Sequence, residues 1–170
     1  MSLYLYIVFG LIALFRVTVL LISKNNEKKL ILLGGKEYGK LVSKLLAILH
    51  TLFYFCSFFE GIYKKVELDI YSVIGIIIIT FSFIILMRVI QVLGENWTVK
   101  LIIVDEQLLN SSWLFKYIKH PNYFLNIIPE LIGLTMFFHS WITIMFFFLP
   151  YGICLYMRIT EEDKLLAELK

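Results

Sequence analysis

The chain has 170 residues, of which 60% are apolar and 17% charged, and its 16 basic and 13 acidic residues give a formal net charge of +3. Soluble domains average about 45–50% apolar and about 25% charged residues. The composition therefore excludes a disordered chain and a disulfide scaffold, and it indicates a membrane protein. The charge is too small, and too dispersed among apolar runs, to indicate nucleic-acid binding. We expect residues 1–170 to form a single membrane domain.

The hydropathy predicts an all-α integral membrane protein with five transmembrane helices. A spanning helix needs about 20 mostly apolar residues, and three segments meet this requirement, namely 3–22, 45–63 and 70–93. The apolar stretch 124–157 is longer but is interrupted by His139 and Ser140. We interpret it as a helical hairpin of two shorter spans, 124–138 and 141–157.

Lysine and arginine are distributed unequally among the predicted loops. Segments 23–44, 94–123 and 158–170 hold 12 of them, whereas the intervening segments 64–69 and 139–140 hold two. Because positive residues accumulate on the cytosolic side, we expect a multi-pass protein of the cell membrane with its N-terminus outside and its C-terminus in the cytosol. Within 94–123, the β-branched run from Thr98 to Val104 predicts a short surface hairpin or an interfacial segment.

Five ionisable residues fall inside the predicted spans: Arg16, His50, Glu60, Arg88 and Glu130. Such groups cost several kcal/mol unless they are paired, so each is a functional candidate. Four of them lie in the cytosolic half, and only Glu60 is near the outer end. We expect Arg16 and Arg88 to extend to the cytosolic head groups, Glu130 to face a polar cavity or an arginine, and His50 to bond between helices or line a pocket. Because most of these groups lie on the cytosolic side, we expect a polar cavity that opens to the cytosol.

Two polar clusters flank the predicted hairpin. His120, Tyr123, Asn126 and Glu130 follow one another at spacings of three, three and four, which place them on one helical face. Pro121 suits the first turn of that helix, where its missing N–H costs nothing. After the hairpin, Arg158 and Glu162 are spaced i, i+4. From spacing alone, a surface ion pair is the simpler interpretation of the second cluster.

In these motifs the chain resembles the isoprenylcysteine carboxyl methyltransferase family of integral-membrane methyltransferases. The resemblance is best over residues 94–165. It rests on Trp97-Thr98, on His120-Pro121-Asn122-Tyr123 with Glu130, and on Arg158-Ile159 with Glu161-Glu162 and Leu165. Two positions depart from the family pattern, because Lys119 replaces an arginine and Ser112-Trp113-Leu114 replaces Gly-Pro-Tyr.

The first half is similar to a bacterial branch of that family, the small alkylpyrone O-methyltransferases. The similar segments are Asn26-Glu27-Lys28-Lys29, Gly35-Lys36-Glu37-Tyr38-Gly39 and His50-Thr51-Leu52-Phe53. The resemblance therefore implies an O-methyltransferase whose acceptor is a lipid, such as an alkylpyrone or a similar polyketide hydroxyl. A prenylcysteine carboxylate is the alternative acceptor.

The resemblance also implies S-adenosylmethionine as the methyl donor, with no metal, in a cytosol-facing pocket between the hairpin and the C-terminal helix. The lipid acceptor would enter from the bilayer. The residues carried over to the cofactor pocket are His120, Pro121, Tyr123, Glu130 and Glu161, and those carried over to methyl transfer are Arg158 and Glu162.

Methyl transfer from a sulfonium is an in-line displacement that depends chiefly on positioning. The acceptor must be an oxygen anion, which Arg158 is expected to orient, and Glu162 is expected to hold Arg158 or the amino group of the cofactor. The competing interpretation is a small transporter or accessory subunit whose intramembrane charges line a solute path. Pro129 and Pro150, which can break helices, leave that alternative open, although no inverted repeat is seen.

Overall fold

The computed structural model describes residues 3–104 and 120–168. In this part of the chain the helices are α1 (Leu3–Leu32), α2 (Lys40–Tyr63), α3 (Ile70–Leu93), α4 (Asn122–Phe138) and α5 (Trp141–Glu168). Helices α1, α2, α3 and α5 contain segments long and apolar enough to cross a membrane, and α4 is a shorter apolar helix. The predicted all-α membrane architecture is confirmed, and a helix covers each of the five predicted spans.

Helix α1 continues well beyond the predicted end at residue 22. Its 30 residues give a length of about 45 Å, against about 30 Å for the hydrocarbon core of a bilayer. Two of the polar residues that follow the apolar run, Ser23 and Asn26, are buried. The Asn26 amide donates to the carbonyls of Gly94 (3.1 Å) and Trp97 (2.8 Å), and Ser23 Oγ accepts from the Val99 N–H (2.9 Å). These hydrogen bonds hold the part of α1 beyond residue 22 against residues 94–99.

A two-stranded antiparallel sheet joins the segments that precede α2 and follow α3. Its strands are β1 (Lys36–Tyr38) and β2 (Leu101–Ile103), with Glu37 opposite Ile102. Within the described residues β2 pairs with β1. The second arm of the hairpin expected around Thr98–Val104 falls in the residues that follow, so that hairpin stays a prediction. Residues 105–119 lie outside the described part.

Helices α3 and α4 approach each other through glycine. A Cβ built on Gly75 would lie 2.6 Å from both the Gly133 carbonyl oxygen and the Phe137 amide nitrogen. Only glycine leaves room for this contact, and small residues are the usual means of close helix packing in membranes. Helix α4 begins with a wider π-helical turn over Asn122–Ile127. Pro129, one residue beyond the Ile128 cap of that turn, has no N–H to continue the normal α-helical ladder.

The predicted hairpin is present as α4 and α5, with His139 in the left-handed region (φ 50°) at the turn. Glu60 at the end of α2 caps the start of α5. Its carboxylate accepts from the Ile142 N–H (3.1 Å), the Thr143 N–H (2.8 Å) and the Thr143 hydroxyl (2.7 Å). An anion at a helix N-terminus is stabilised by the unpaired N–H groups and the helix dipole.

Candidate active site

A polar cluster joins the start of α4 to the end of α5. Its members are His120, Tyr123, Arg158 and Glu162, and we call it the Arg158 cluster. The Tyr123 hydroxyl donates to Glu162 Oε2 (2.6 Å) and accepts from Arg158 Nε (3.1 Å). The second carboxylate oxygen of Glu162 lies 3.3 Å from His120 Nδ1. Tyr123 therefore connects a guanidinium to a carboxylate and bonds to both.

Arg158 is buried, with 4% of its surface exposed. Besides Tyr123, its guanidinium donates to the Ser43 hydroxyl on α2 and to the Val99 carbonyl (3.2 Å). The interpretation of Arg158 and Glu162 as a surface ion pair is wrong, because Arg158 points into the protein and reaches Glu162 through the Tyr123 hydroxyl. Sequence reasoning missed Ser43 and Val99, since neither residue type signals an arginine contact.

The His120 ring lies between two carboxylates. Its Nε2 is 2.8 Å from Asp163 Oδ1, and its Nδ1 contacts Glu162. Burial lowers the pKa of His120, but its hydrogen bonds with Glu162 and Asp163 and their charges outweigh this effect, so the pKa is raised above its usual value. Asp163 was also missed, although it adjoins the Glu161-Glu162 pair.

Glu130 is fully buried and pairs with Arg16, whose side chain is 19% exposed. Arg16 Nε donates to Glu130 (2.8 Å) and to the Tyr54 hydroxyl (3.0 Å), and Tyr54 in turn donates to Glu130. The expectation that Arg16 extends to the head groups is wrong, because a buried carboxylate holds it inside the bundle. The expectation that Glu130 faces an arginine is confirmed.

His50 and Arg88, two other ionisable residues of the predicted spans, lie outside the Arg158 cluster. His50 Nδ1 lies 2.9 Å from the Tyr151 hydroxyl on α5, which is the interhelical bond that the sequence left open. Arg88 is exposed and donates to Gln91 (3.3 Å).

The predicted polar face of α4 is buried at all four positions, His120, Tyr123, Asn126 and Glu130. Their partners differ, however. His120 and Tyr123 bond to α5, whereas the Asn126 amide donates to the Ser82 carbonyl of α3 (2.9 Å) and Glu130 bonds to α1 and α2. Only the first two therefore belong to the Arg158 cluster.

Glu161 and Asn122 lie next to members of the Arg158 cluster in the sequence. The Glu161 carboxylate occupies the space beside Gly39 (φ +55°), so that a Cβ at residue 39 would overlap it. The Asn122 side-chain oxygen is buried and has no hydrogen-bond partner among the described residues. Pro121 precedes α4 directly and has a helical backbone conformation (φ −62°, ψ −31°), so it lies at the start of this helix as predicted.

A cavity of about 540 Å³ lies between α1 and α2, and Ser43 and Val99, the two additional partners of Arg158, are part of its lining. The cofactor pocket predicted between the hairpin and the C-terminal helix is a different location and stays a prediction. Among the described residues, no group of three or more histidine, cysteine or acidic side chains is arranged to hold a metal ion.

Comparison with known proteins gives a family. The sequence model of the Isoprenylcysteine carboxyl methyltransferase (ICMT) family matches residues 73–168, more than half of the chain. The chain belongs to this family. The matched region contains all four members of the Arg158 cluster, together with Pro121, Glu130 and Glu161.

Two relatives match over nearly their whole length. An uncharacterized protein of Haemophilus influenzae is 42% identical over 167 residues, which cover 98% of this chain and 97% of that protein. The uncharacterized protein YpbQ of Bacillus subtilis is 25% identical over 154 residues, 90% of each chain. No solved structure gives a significant match. Family membership indicates a membrane methyltransferase and disfavours the transporter or accessory subunit that the sequence had left open.

Proposed function

We propose that the chain transfers a methyl group from S-adenosylmethionine to an acidic oxygen of a lipid dissolved in the membrane. The observation that carries the proposal is the Arg158 cluster, in which a buried guanidinium is fixed by three neighbours and connected to Glu162 by the Tyr123 hydroxyl. Family membership supplies the class of reaction, and the cluster supplies groups able to carry it out.

The residues around the cluster fit the proposed cofactor. S-adenosylmethionine has positive sulfonium and ammonium groups and several N–H and O–H donors, which require acceptors. Glu161 and Glu162 are carboxylates, and the buried Asn122 oxygen lacks a donor among the described residues. We therefore assign Glu161 and Asn122 to the polar groups of the cofactor.

The remaining cofactor assignments concern α4. We assign His120, Pro121 and Tyr123 to one wall of the cofactor pocket. Glu130 supports that wall from behind, because its bonds to Arg16 and Tyr54 fix α4 against α1 and α2.

Arg158 has donors left to bind an acceptor oxygen. A guanidinium has five N–H donors, and three of its bonds are accounted for, from Nε, Nη1 and Nη2. One N–H on each terminal nitrogen remains for a ligand. Two N–H groups in a fixed fork orient an anionic oxygen well, and orientation is the chief requirement of an in-line methyl transfer.

The acceptor that fits this scheme is an amphiphile that already bears an anionic oxygen, because then no strong base is needed. The enol of an alkylpyrone or the carboxylate of a prenylcysteine meets this condition. Bound cofactor would supply the electrophilic methyl group. Glu162, acting through Tyr123, would keep the Arg158 guanidinium in the orientation that receives the acceptor.

The experiment is methyl transfer by the purified protein from radiolabelled S-adenosylmethionine into organic-extractable lipid. Arg158→Lys retains the charge but loses the planar fork, so we expect turnover to fall about 100-fold. Arg88→Lys, at an exposed position of α3, is the matched control and should leave turnover unchanged. Wild-type turnover by Arg158→Lys would remove Arg158 from the mechanism. If the folded protein labels no lipid fraction, the proposal itself is contradicted.

A further inference from the structure

The cavity between α1 and α2 has a strongly basic lining. Its volume is about 540 Å³, within the range of about 300–1,000 Å³ usual for small-molecule sites. Its charged residues are four lysines and two glutamates, which gives a net charge of +2. They are Lys24, Lys40, Lys44, Lys100, Glu27 and Glu37.

Both glutamates of the lining form ion pairs with the same lysine. Lys100 Nζ lies 3.3 Å from Glu27 and 3.6 Å from Glu37, and these contacts outweigh the opposing effect of burial and raise its pKa. Lys24, Lys40 and Lys44 have no ion pair with any described carboxylate. Three cationic groups therefore border the cavity without an ion-pair partner in the part of the chain that the structure describes.

The apolar part of the lining faces away from the protein core. Leu20 is 53% exposed, and Ala47 is also exposed. Each lies about one helical turn from a lysine of the cavity, Leu20 before Lys24 on α1 and Ala47 after Lys44 on α2. Along both helices the lining thus changes from basic to apolar, as at a membrane surface where a lipid head group gives way to its chains.

Hydrogen bonds hold three residues of the cavity lining in place. Ser43 is buried and accepts from Arg158, and the Val99 backbone donates to Ser23 and accepts from Arg158. Ser23, Ser43 and Val99 all line the cavity. Hydrogen bonds among α1, α2, α5 and Val99 therefore fix one wall of the cavity.

We propose that this cavity binds the anionic head group of a membrane amphiphile, with Lys24, Lys40 and Lys44 around its phosphate or carboxylate and its chains along Leu20 and Ala47. The amphiphile is a bilayer phospholipid or, if the anionic oxygen of the acceptor lies at these lysines and not at Arg158, the methyl acceptor itself, since both join an anionic head group to apolar chains. Binding of an acidic phospholipid does not depend on methyl transfer.

The first test uses the protein in nanodiscs of phosphatidylcholine containing phosphatidylglycerol, with native mass spectrometry to count lipids retained on release. Each lysine near an anionic lipid contributes about fivefold in affinity. The double variant Lys40→Gln/Lys44→Gln should therefore bind phosphatidylglycerol about 30-fold more weakly. The control Lys28→Gln/Lys164→Gln removes two exposed lysines outside the cavity and should bind as the wild type does. Equal retention by all three proteins, with no change in acceptor KM, would overturn the proposal.

A second measurement separates the two sources. If the amphiphile is the methyl acceptor, Lys40→Gln/Lys44→Gln raises the KM for the acceptor about 30-fold and leaves the affinity for S-adenosylmethionine unchanged. If it is a bilayer phospholipid, phosphatidylglycerol retention falls and the acceptor KM does not change. Weaker S-adenosylmethionine binding without either effect would mean that the cavity holds the cofactor, and the proposal fails. Absence of methyl transfer would contradict the proposed function but leave the lipid-retention test intact.

Discussion

The ion pair between Arg16 and Glu130 connects α1 to α4, and removing one partner should be more damaging than removing both. Glu130 is fully buried and Arg16 is 19% exposed. Replacing Glu130 by leucine leaves the guanidinium without its anion in an apolar bundle. Losing one partner of a buried pair costs about 3–5 kcal/mol. The same loss is expected for Arg16→Met, which leaves the carboxylate unpaired.

The double variant Arg16→Met/Glu130→Leu removes both charges together. The remaining defect is the Tyr54 hydroxyl, which loses the acceptor that Glu130 provides. A buried polar group without its partner costs about 1–3 kcal/mol. The double variant should therefore be more stable than either single variant, although the two single losses add to about 6–10 kcal/mol.

Thermal unfolding in detergent micelles, followed by circular dichroism, tests this non-additivity. For a chain of about 150–250 residues each kcal/mol lowers Tm by about 2–4 °C, so the single variants should lose about 6–20 °C and the double variant about 2–12 °C. Losses that simply add, or a Glu130→Leu variant with wild-type Tm, would refute the reasoning and restore Arg16 to the head-group region.

Three other predictions concern separate parts of the chain. Gly39→Ala should lower turnover because a Cβ there displaces Glu161. Gly34→Ala should not, because Gly34 also has a positive φ (+85°) but nothing lies within 4 Å of a Cβ there. Glu60→Gln should destabilise the protein by about 1–2 kcal/mol in thermal unfolding, since it removes the anion at the α5 N-terminus. The pKa of His120 is raised in the folded state, so protonated His120 stabilises the fold. This stability is complete below the ordinary pKa of 6.5 and is lost as the pH rises through the folded-state pKa. His120→Gln should therefore make Tm less dependent on pH in this range.

Each of these has a result that would contradict it. Equal turnover by the two glycine variants would mean that Glu161 has no role in the site. Glu67 is an exposed carboxylate in the loop after α2, so Glu67→Gln is the control for Glu60→Gln. Equal Tm values for these two variants would mean that Glu60 does not stabilise the start of α5. If His120→Gln retains the wild-type pH dependence, another group is responsible for it.

Four of the described helices could be predicted because each contains an apolar run of bilayer length, and the shorter α4 followed from the interruption of the stretch 124–157 at His139 and Ser140. The extension of α1 could not, since Ser23 and Asn26 are polar, and their burial depends on backbone groups of residues 94–99 far along the chain. Pairing of β1 with β2 is likewise a long-range contact that hydropathy does not encode.

Helical spacing could predict which polar side chains share a face, but not what those side chains contact. The spacing from His120 to Glu130 predicted that four side chains share one helical face, and the structure buries all four. It could not tell that His120 and Tyr123 reach α5 while Glu130 reaches Arg16, because helical spacing fixes a face and not the neighbour against which that face packs. The buried state of Arg158 had no local signal, since its partners Ser43 and Val99 lie 115 and 59 residues away.

Calorimetric titration with S-adenosylmethionine and S-adenosylhomocysteine tests the central claim most directly. We expect saturable binding of both by the detergent-solubilised protein, with lipid extract present in a parallel titration. Tyr123→Phe removes the hydroxyl that connects Arg158 to Glu162, so it should weaken binding by about tenfold or more. A folded sample that binds neither compound, with or without lipid, would contradict the account.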